Sequence, residues 1–254
     1  HWDALVCDRR LIGDWVMARL ARLTAPEVTH HVVVQGINRE SIFIDNADRL
    51  AWLGFLQAHA LATHVRVHAY VMLRDHIQIL VTPEPEGDVS RMMQGIGRQY
   101  VSAFNRKHGR TGTLWDGRYR CSLVQSDQHL LRSMAFMDLT PVRQGEVEGV
   151  GAHIWGSYGH YAGSQPETWL YTPAPVWALG NTPFAREAAY QALVDRGLSA
   201  AETTDIADHV WRGWAMGDPA FLVGLAQTTQ RRVEKARPGR PKKVRQNINV
   251  SPIK

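Results

Sequence analysis

The chain has 254 residues, 44% of them hydrophobic and 21% charged, which is ordinary for a folded globular protein with room for one large domain or two modest ones. No apolar run approaches the ~18 residues a membrane span needs. Two cysteines, Cys7 and Cys121, with no CxxC, exclude a disulfide framework and a cysteine zinc site. The net charge of +5 is unevenly distributed. Arg231 to Arg245 holds eight basic residues against Glu234, and Arg91 to Arg132 holds eight against Asp116 and Asp127. Charge concentrated in this way points to a polyanion partner.

In chain order, residues 1–16 precede Met17-Ala-Arg-Leu, which reads like a natural start, so they are taken as an N-terminal extension. His1-Trp-Asp-Ala carries no signal-peptide pattern, and the expected compartment is a reducing cytoplasm, with nucleoid association. His31–Gln35 reads as a strand ended by Gly36. Asp45 is positioned to cap a helix over 46–62, with Leu50, Leu53, Leu56 and Leu61 as its apolar stripe. Val65–Val71 alternates as a strand, and His76–Val81 forms another after a tight connection at Arg74-Asp75. A helix is expected from Ser90 to about Lys107, then a semi-extended stretch from Leu114 to Val124. A further helix spans 127–139 and stops before Pro141. The order is β-α-β-β-α-β followed by a helix. It predicts an α+β fold, a ferredoxin-like split βαβ with an antiparallel sheet and helices on one face. Residues 162–176, rich in Gly, Pro, Thr and Ser, read as a linker. A helical module at 177–230 follows, with starts at Thr182-Pro183 and Asp218-Pro219 and a stop at Gly197. A basic, disordered tail spans 231–254.

Strand periodicity puts His76 and Gln78 on one face, where an imidazole and an amide oxygen could hold Mg²⁺ or Mn²⁺ more weakly than two imidazoles. The basic stretch presents Arg98, Arg106, Lys107, Arg110, Arg118 and Arg120 among the aromatics Tyr100, Trp115 and Tyr119. Cations neutralise phosphates and rings stack on bases, so these residues are candidate nucleic-acid contacts, Trp115 being the aromatic most suited to the core. In the tail, Pro238-Gly-Arg-Pro-Lys, which holds Arg240 and Lys242 and is flanked by Arg237 and Lys243, is similar to short hooks that enter the minor groove.

The run Val67-His-Ala-Tyr-Val-Met-Leu-Arg-Asp-His-Ile-Gln-Ile-Leu-Val-Thr-Pro83 resembles the metal-binding segment of single-tyrosine HUH transposases, and most of all the REP-associated tyrosine transposases. Thr29–Arg39, Arg98–Gly109, Gly112–Tyr119, Leu139–Arg143, Trp155–Tyr158 and Pro238–Lys243 match the family in the same order, which makes 17–161 the transposase-like domain. The resemblance implies cleavage of single-stranded DNA beside a hairpin. A helical tyrosine attacks the phosphate, a divalent metal sits on a His-hydrophobic-His pair, and an Asn four residues after the tyrosine assists. Members work as monomers or as dimers that share active sites, so a homodimer is one expected assembly.

Carried onto this chain, the pattern retains His76 but has Gln78 at the second metal position, Phe136 at the nucleophile and Thr140 at the Asn. A phenyl ring has no oxygen with which to form a phosphotyrosine. On a helical wheel His129, Arg132, Ser133, Phe136 and Thr140 share one polar arc, so the aromatic sits where a lost tyrosine would have been. The leading expectation is a catalytically impaired, transposase-like protein that binds single-stranded or hairpin DNA. The alternatives are an active nuclease with a displaced nucleophile (Tyr100, Tyr119, Tyr158 or Tyr161) and a ferredoxin-like RNA-binding module.

Overall fold

The computed structural model describes residues 22–229 and 231–235. The 1–16 segment and the tail cations Arg237, Arg240, Lys242 and Lys243 lie outside the described residues. Strands β1 (Thr29–Gln35), β2 (Val65–Met72), β3 (His76–Pro83) and β4 (Arg120–Val124) form one antiparallel sheet in the order β2-β3-β1-β4. With helices α1 (Asn46–Ala62) and α2 (Val89–His108) in their expected places, this is the split βαβ topology. His68 is the extra residue of a bulge in β2, so His68 and Ala69 fall on the same face.

Alternation sends Val32, Val34, Ile77, Ile79 and Val81 to one face, where Trp52 and Leu56 of α1 and Met92, Ile96 and Phe104 of α2 cover them. Asp45 caps α1 and exchanges hydrogen bonds with Asp48 in a capping box. The buried stripe of α1 is Asp48, Trp52, Leu56 and Ala60, not the leucine row. Leu50 and Leu61 face solvent, because the sheet lies one position round the helix from where the leucines pointed.

The opposite face is also apolar, carrying Val33, Ala69, Val71, Leu80 and Val124. A sheet apolar on both faces needs a cover on both. Here the expectation of helices on one face is extended. The second cover is α3 (Gln128–Arg143), together with α4 (Tyr158–Tyr161), α5 (Ala174–Trp177), α6 (Pro183–Arg196) and α7 (Ala200–Arg212). Tyr190, Val194, Ile206 and Val210 of this layer share a core with Leu130 and Met134 of α3. Residues 162–176 run against the sheet, with the Tyr171 amide donating to the Val67 carbonyl at 2.8 Å. Helix α7, unmarked in the sequence pattern, starts at a Ser199–Glu202 capping box, and α8 (Pro219–Thr228) follows.

Helix α3 does not stop before Pro141 but continues to Arg143. Proline removes one intrahelical donor and costs about 3 kcal/mol in a free helix interior. Burial of Pro141 and the bond from the Arg143 guanidinium to the Phe136 carbonyl, 2.5 Å long, hold the last turn together.

Candidate functional site

The side chains at the degenerate positions meet on the second face of the sheet. His76 and Gln78 come from β3, His31 from β1, and Phe136, Thr140 and Arg143 from α3. The Asp75 carboxylate accepts the Nδ1 proton of His76 at 2.7 Å. With Nδ1–H engaged in this way, His76 Nε2 faces the Gln78 amide nitrogen at 3.2 Å and is placed to accept from it. The same nitrogen lies 3.5 Å from the Thr140 hydroxyl. The other end of the amide, Oε1, accepts from His31 Nε2 at 3.0 Å. Burial holds the His31 pKa down at about 4, partly countered by the Gln78 bond, so His31 is neutral at physiological pH.

The Phe136 ring packs edge-on against His31, 6.2 Å between centroids, and the Arg143 guanidinium lies 4.4 Å above its centre. Arg143 also donates to the Thr140 hydroxyl at 2.6 Å, which in turn donates to the Phe136 carbonyl at 2.7 Å. Residues 136, 140 and 143 share one face of α3 at i, i+4 and i+7 spacing. The inner residues His31, His76, Gln78, Phe136 and Thr140 are all buried, while Arg143 reaches solvent.

The structure brings His76, Gln78, Phe136 and Thr140 together and adds His31 and Arg143, which sequence reasoning missed. Strand alternation could have put His31 on the face of Gln35. Arg143 was hidden by the helix stop placed before Pro141.

Of the hydroxyls that could replace the missing nucleophile, those of Tyr100, Tyr119 and Tyr161 are occupied elsewhere. Tyr100 donates to the Ile42 carbonyl, Tyr161 to the His68 carbonyl and Tyr190 to Asp138, while Tyr119 bonds Ser90. Burial pushes the Tyr100 and Tyr161 pKa values well up, and those of Tyr119 and Tyr158 up. Among the described residues no tyrosine hydroxyl bonds His76, Gln78 or Thr140.

The candidate nucleic-acid contacts separate into two groups. Arg98, Arg118 and Tyr119 line a groove of about 1000 Å³ between α2 and the 115–119 loop, together with Arg22, Arg91 and Trp115. Gly117, at φ +73°, turns that loop. Arg118 and Tyr119 also border a second cavity of about 350 Å³, with Arg120, Trp211, Arg212 and Arg231. The two hollows therefore share a wall of Arg22, Arg118 and Tyr119. The Arg22 guanidinium lies 3.7 Å above the Tyr119 ring. Arg120 lies over Trp211, whose ring centre is 6.2 Å from that of His76. Among the described residues Arg91, Arg98, Arg118 and Arg120 have no ion-pair partner.

Three other expected contacts are committed to the fold. Tyr100 is buried against Phe43, Phe104 and Trp115, which leaves no ring face for a base. Lys107 reaches Asp45 at 2.6 Å and Asp48 at 2.8 Å, tying α2 to the start of α1. Arg110 lies over Phe104, 4.0 Å from Glu40. Arg106 is exposed on α2 beside Ser102. No sequence pattern marks these commitments, because a surface cation and one paired across two helices read alike.

Residues 24–133 match the model of the family described as transposase IS200 like. This region is similar to an IS200-like transposase domain. The match ends three residues before Phe136, so α3 is placed in the site by geometry rather than by that match. The structure of a REP-associated tyrosine transposase bound to a REP hairpin aligns with a TM-score of 0.51 at 16% identity, over 63% of this chain and 93% of that one. At that identity the likeness establishes the fold. A protein of Deinococcus radiodurans R1 described as a transposase aligns at a TM-score of 0.32 and 19% identity, over 40% of this chain and 82% of that one. No curated protein matches the chain. Among the described residues no helix is long and apolar enough to cross a membrane.

Proposed function

We propose that this chain binds single-stranded or hairpin DNA of the palindromic-repeat kind through the arginine-lined groove, and that it does not cleave by a tyrosine. The observation that carries the reading is the Phe136 ring, packed between His31 and Arg143 beside Gln78 and Thr140. The strand and helix positions that would carry the chemistry meet here, and at Phe136 the oxygen that would attack phosphorus is absent. The adjoining groove supports binding. Its unpaired arginines can neutralise consecutive phosphates, while Trp115 and Tyr119 offer ring edges to unstacked bases. Both faces of the sheet are covered by helices, so the open aromatic sheet of an RNA-stacking module is not offered here.

The test is a fluorescence-anisotropy titration of labelled hairpin, single-stranded and random duplex DNA, with an RNA oligonucleotide of one matching sequence. Arg118→Ala and Arg120→Ala are each expected to weaken hairpin binding at every sequence and to lower the salt slope by about one unit. Binding that does not favour hairpin or single strand over duplex contradicts the proposal. A covalent protein–DNA adduct formed with Mn²⁺ and mapped to any tyrosine contradicts the loss of cleavage.

A further inference from the structure

We propose that this degenerate centre holds no divalent ion and instead takes a DNA backbone phosphate on the guanidinium of Arg143. The inference rests on the DNA-binding reading above and goes beyond it by assigning the contact at the site where a metal would have acted.

The first part follows from the direction of the hydrogen bonds. A divalent ion between β3 residues 76 and 78 needs two lone pairs aimed at one point. Asp75 accepts a hydrogen bond from the Nδ1–H of His76, which leaves the lone pair of the imidazole on Nε2. The group facing that lone pair, 3.2 Å away, is the Gln78 amide nitrogen, a donor. The Gln78 oxygen is turned the other way and is held at 3.0 Å by His31. The Thr140 hydroxyl, at the position of the assisting amide, already accepts from Arg143 at 2.6 Å. One lone pair is therefore capped by a donor, one is turned away and one is used. Bringing the Gln78 oxygen toward an ion would break the His31 bond inside a fully buried pocket, where an unmet donor is costly. Among the described residues no three His, Cys, Asp or Glu side chains come together as a ligand set.

The second part follows from charge. Arg143 brings a cation to the mouth of this pocket. It lies over the Phe136 ring and is held by the Phe136 carbonyl and the Thr140 hydroxyl, which fix it without neutralising it. Among the described residues it has no carboxylate partner, and part of it is open to solvent. A guanidinium has five donors, and both bonds here use the same terminal nitrogen. The remaining edge can meet a phosphate in the two-pronged manner that suits arginine. Burial lowers its pKa to about 10, which still leaves it charged at neutral pH.

The experiment has two arms on the full chain. In the first, Mn²⁺ is titrated and free ion is followed by electron paramagnetic resonance, for the wild type, His76→Ala and Gln78→His. The wild type is expected to show no site that is lost in His76→Ala, while Gln78→His, which restores a second imidazole, is expected to gain one. A His76-dependent site in the wild type overturns the proposal, and so does the failure of Gln78→His to create one. In the second arm, hairpin binding is measured at constant ionic strength with EDTA or with Mg²⁺, for the wild type, Arg143→Gln and Arg118→Ala. The wild type should bind equally in both. Arg143→Gln keeps a donor for the Phe136 carbonyl and should bind roughly 10-fold to 100-fold more weakly. Wild-type affinity in Arg143→Gln beside a weakened Arg118→Ala refutes the phosphate contact alone. An absence of hairpin binding in every protein refutes the DNA reading, and the Mn²⁺ arm still decides the metal.

Discussion

Replacing Asp138 by Asn should change how the stability of this protein depends on pH. Asp138 lies on α3 between Phe136 and Thr140 and is fully buried, and its hydrogen-bond partner is the Tyr190 hydroxyl of α6 at 2.6 Å. The other titratable groups around it are the Tyr158 and Tyr161 hydroxyls. Burial raises its pKa from 3.8 to about 7, against a smaller lowering from the Tyr190 bond. The folded state thus keeps a proton that the unfolded chain has lost. The resulting stabilisation is fully present below 3.8 and is lost as pH rises through about 7. At 1.36 kcal/mol per pH unit the displacement corresponds to about 4 kcal/mol at most. Asn keeps an oxygen for Tyr190 and cannot ionise. Asp138→Asn should therefore match the wild type near pH 4 and exceed it by a few kcal/mol at pH 8. His31 and His68, both lowered to about 4 mainly by burial, favour folding as pH rises and act in the opposite direction. The difference between variant and wild type removes their contribution. Urea denaturation from pH 4.5 to 8.5 measures it. A difference that does not change with pH would show that Asp138 is not a buried, protonated acid.

Tyr100→Phe should cost about 1 kcal/mol, the single bond to the Ile42 carbonyl, and leave the hairpin affinity unchanged in anisotropy. Weakened DNA binding at unaltered stability would return Tyr100 to the interface. Asp48 is buried yet held down at about 2, because bonds from Lys107, His108 and the amides of Ile44 and Asp45 outweigh the burial that would raise it. Its contribution is present above 3.8 and is lost as pH falls toward 2. Asp48→Asn should show a smaller acid-induced loss of stability than the wild type, followed by circular dichroism. Phe136→Tyr alone should form no covalent DNA adduct, whereas Phe136→Tyr with Gln78→His and Thr140→Asn should form one with Mn²⁺. Failure of the triple variant to label in a denaturing gel would mean the loss extends beyond these positions.

Much of the fold could be read locally. Thr182-Pro183, Gly197, Asp218-Pro219 and the Asp45 cap each mark an element boundary through one residue's backbone chemistry, and the boundaries occur there. Strand alternation correctly put His76 and Gln78 on one face. The second helical layer was less visible. Its need is written in Val33, Val71 and Leu80, but a short strand apolar on both sides looks the same whether its cover is the next helix or one a hundred residues on. The stripe of α1 failed for a related reason. Leu50 and Leu61 are as apolar as Leu56, and only the position of the sheet decides which of them is buried.

The site depended on the two features that sequence reading handles worst, cross-strand register and a proline inside a helix. His31 reaches Gln78 because β1 pairs with β3 in a register that sets Val33 opposite Gln78. No pattern within either strand specifies that pairing. Arg143 reaches Phe136 because α3 continues through Pro141, and the arginine itself helps this by supplying a donor to the Phe136 carbonyl. The same bonds place a cation over the ring that replaced the nucleophile. Truncating Arg143 would therefore do two things at once, fraying the last turn of α3 and removing charge from the pocket. Gln at this position separates them, since it keeps a donor for the carbonyl while removing the charge. A loss of DNA affinity in that variant at unchanged melting temperature belongs to the charge, and a loss that follows the melting temperature belongs to the helix.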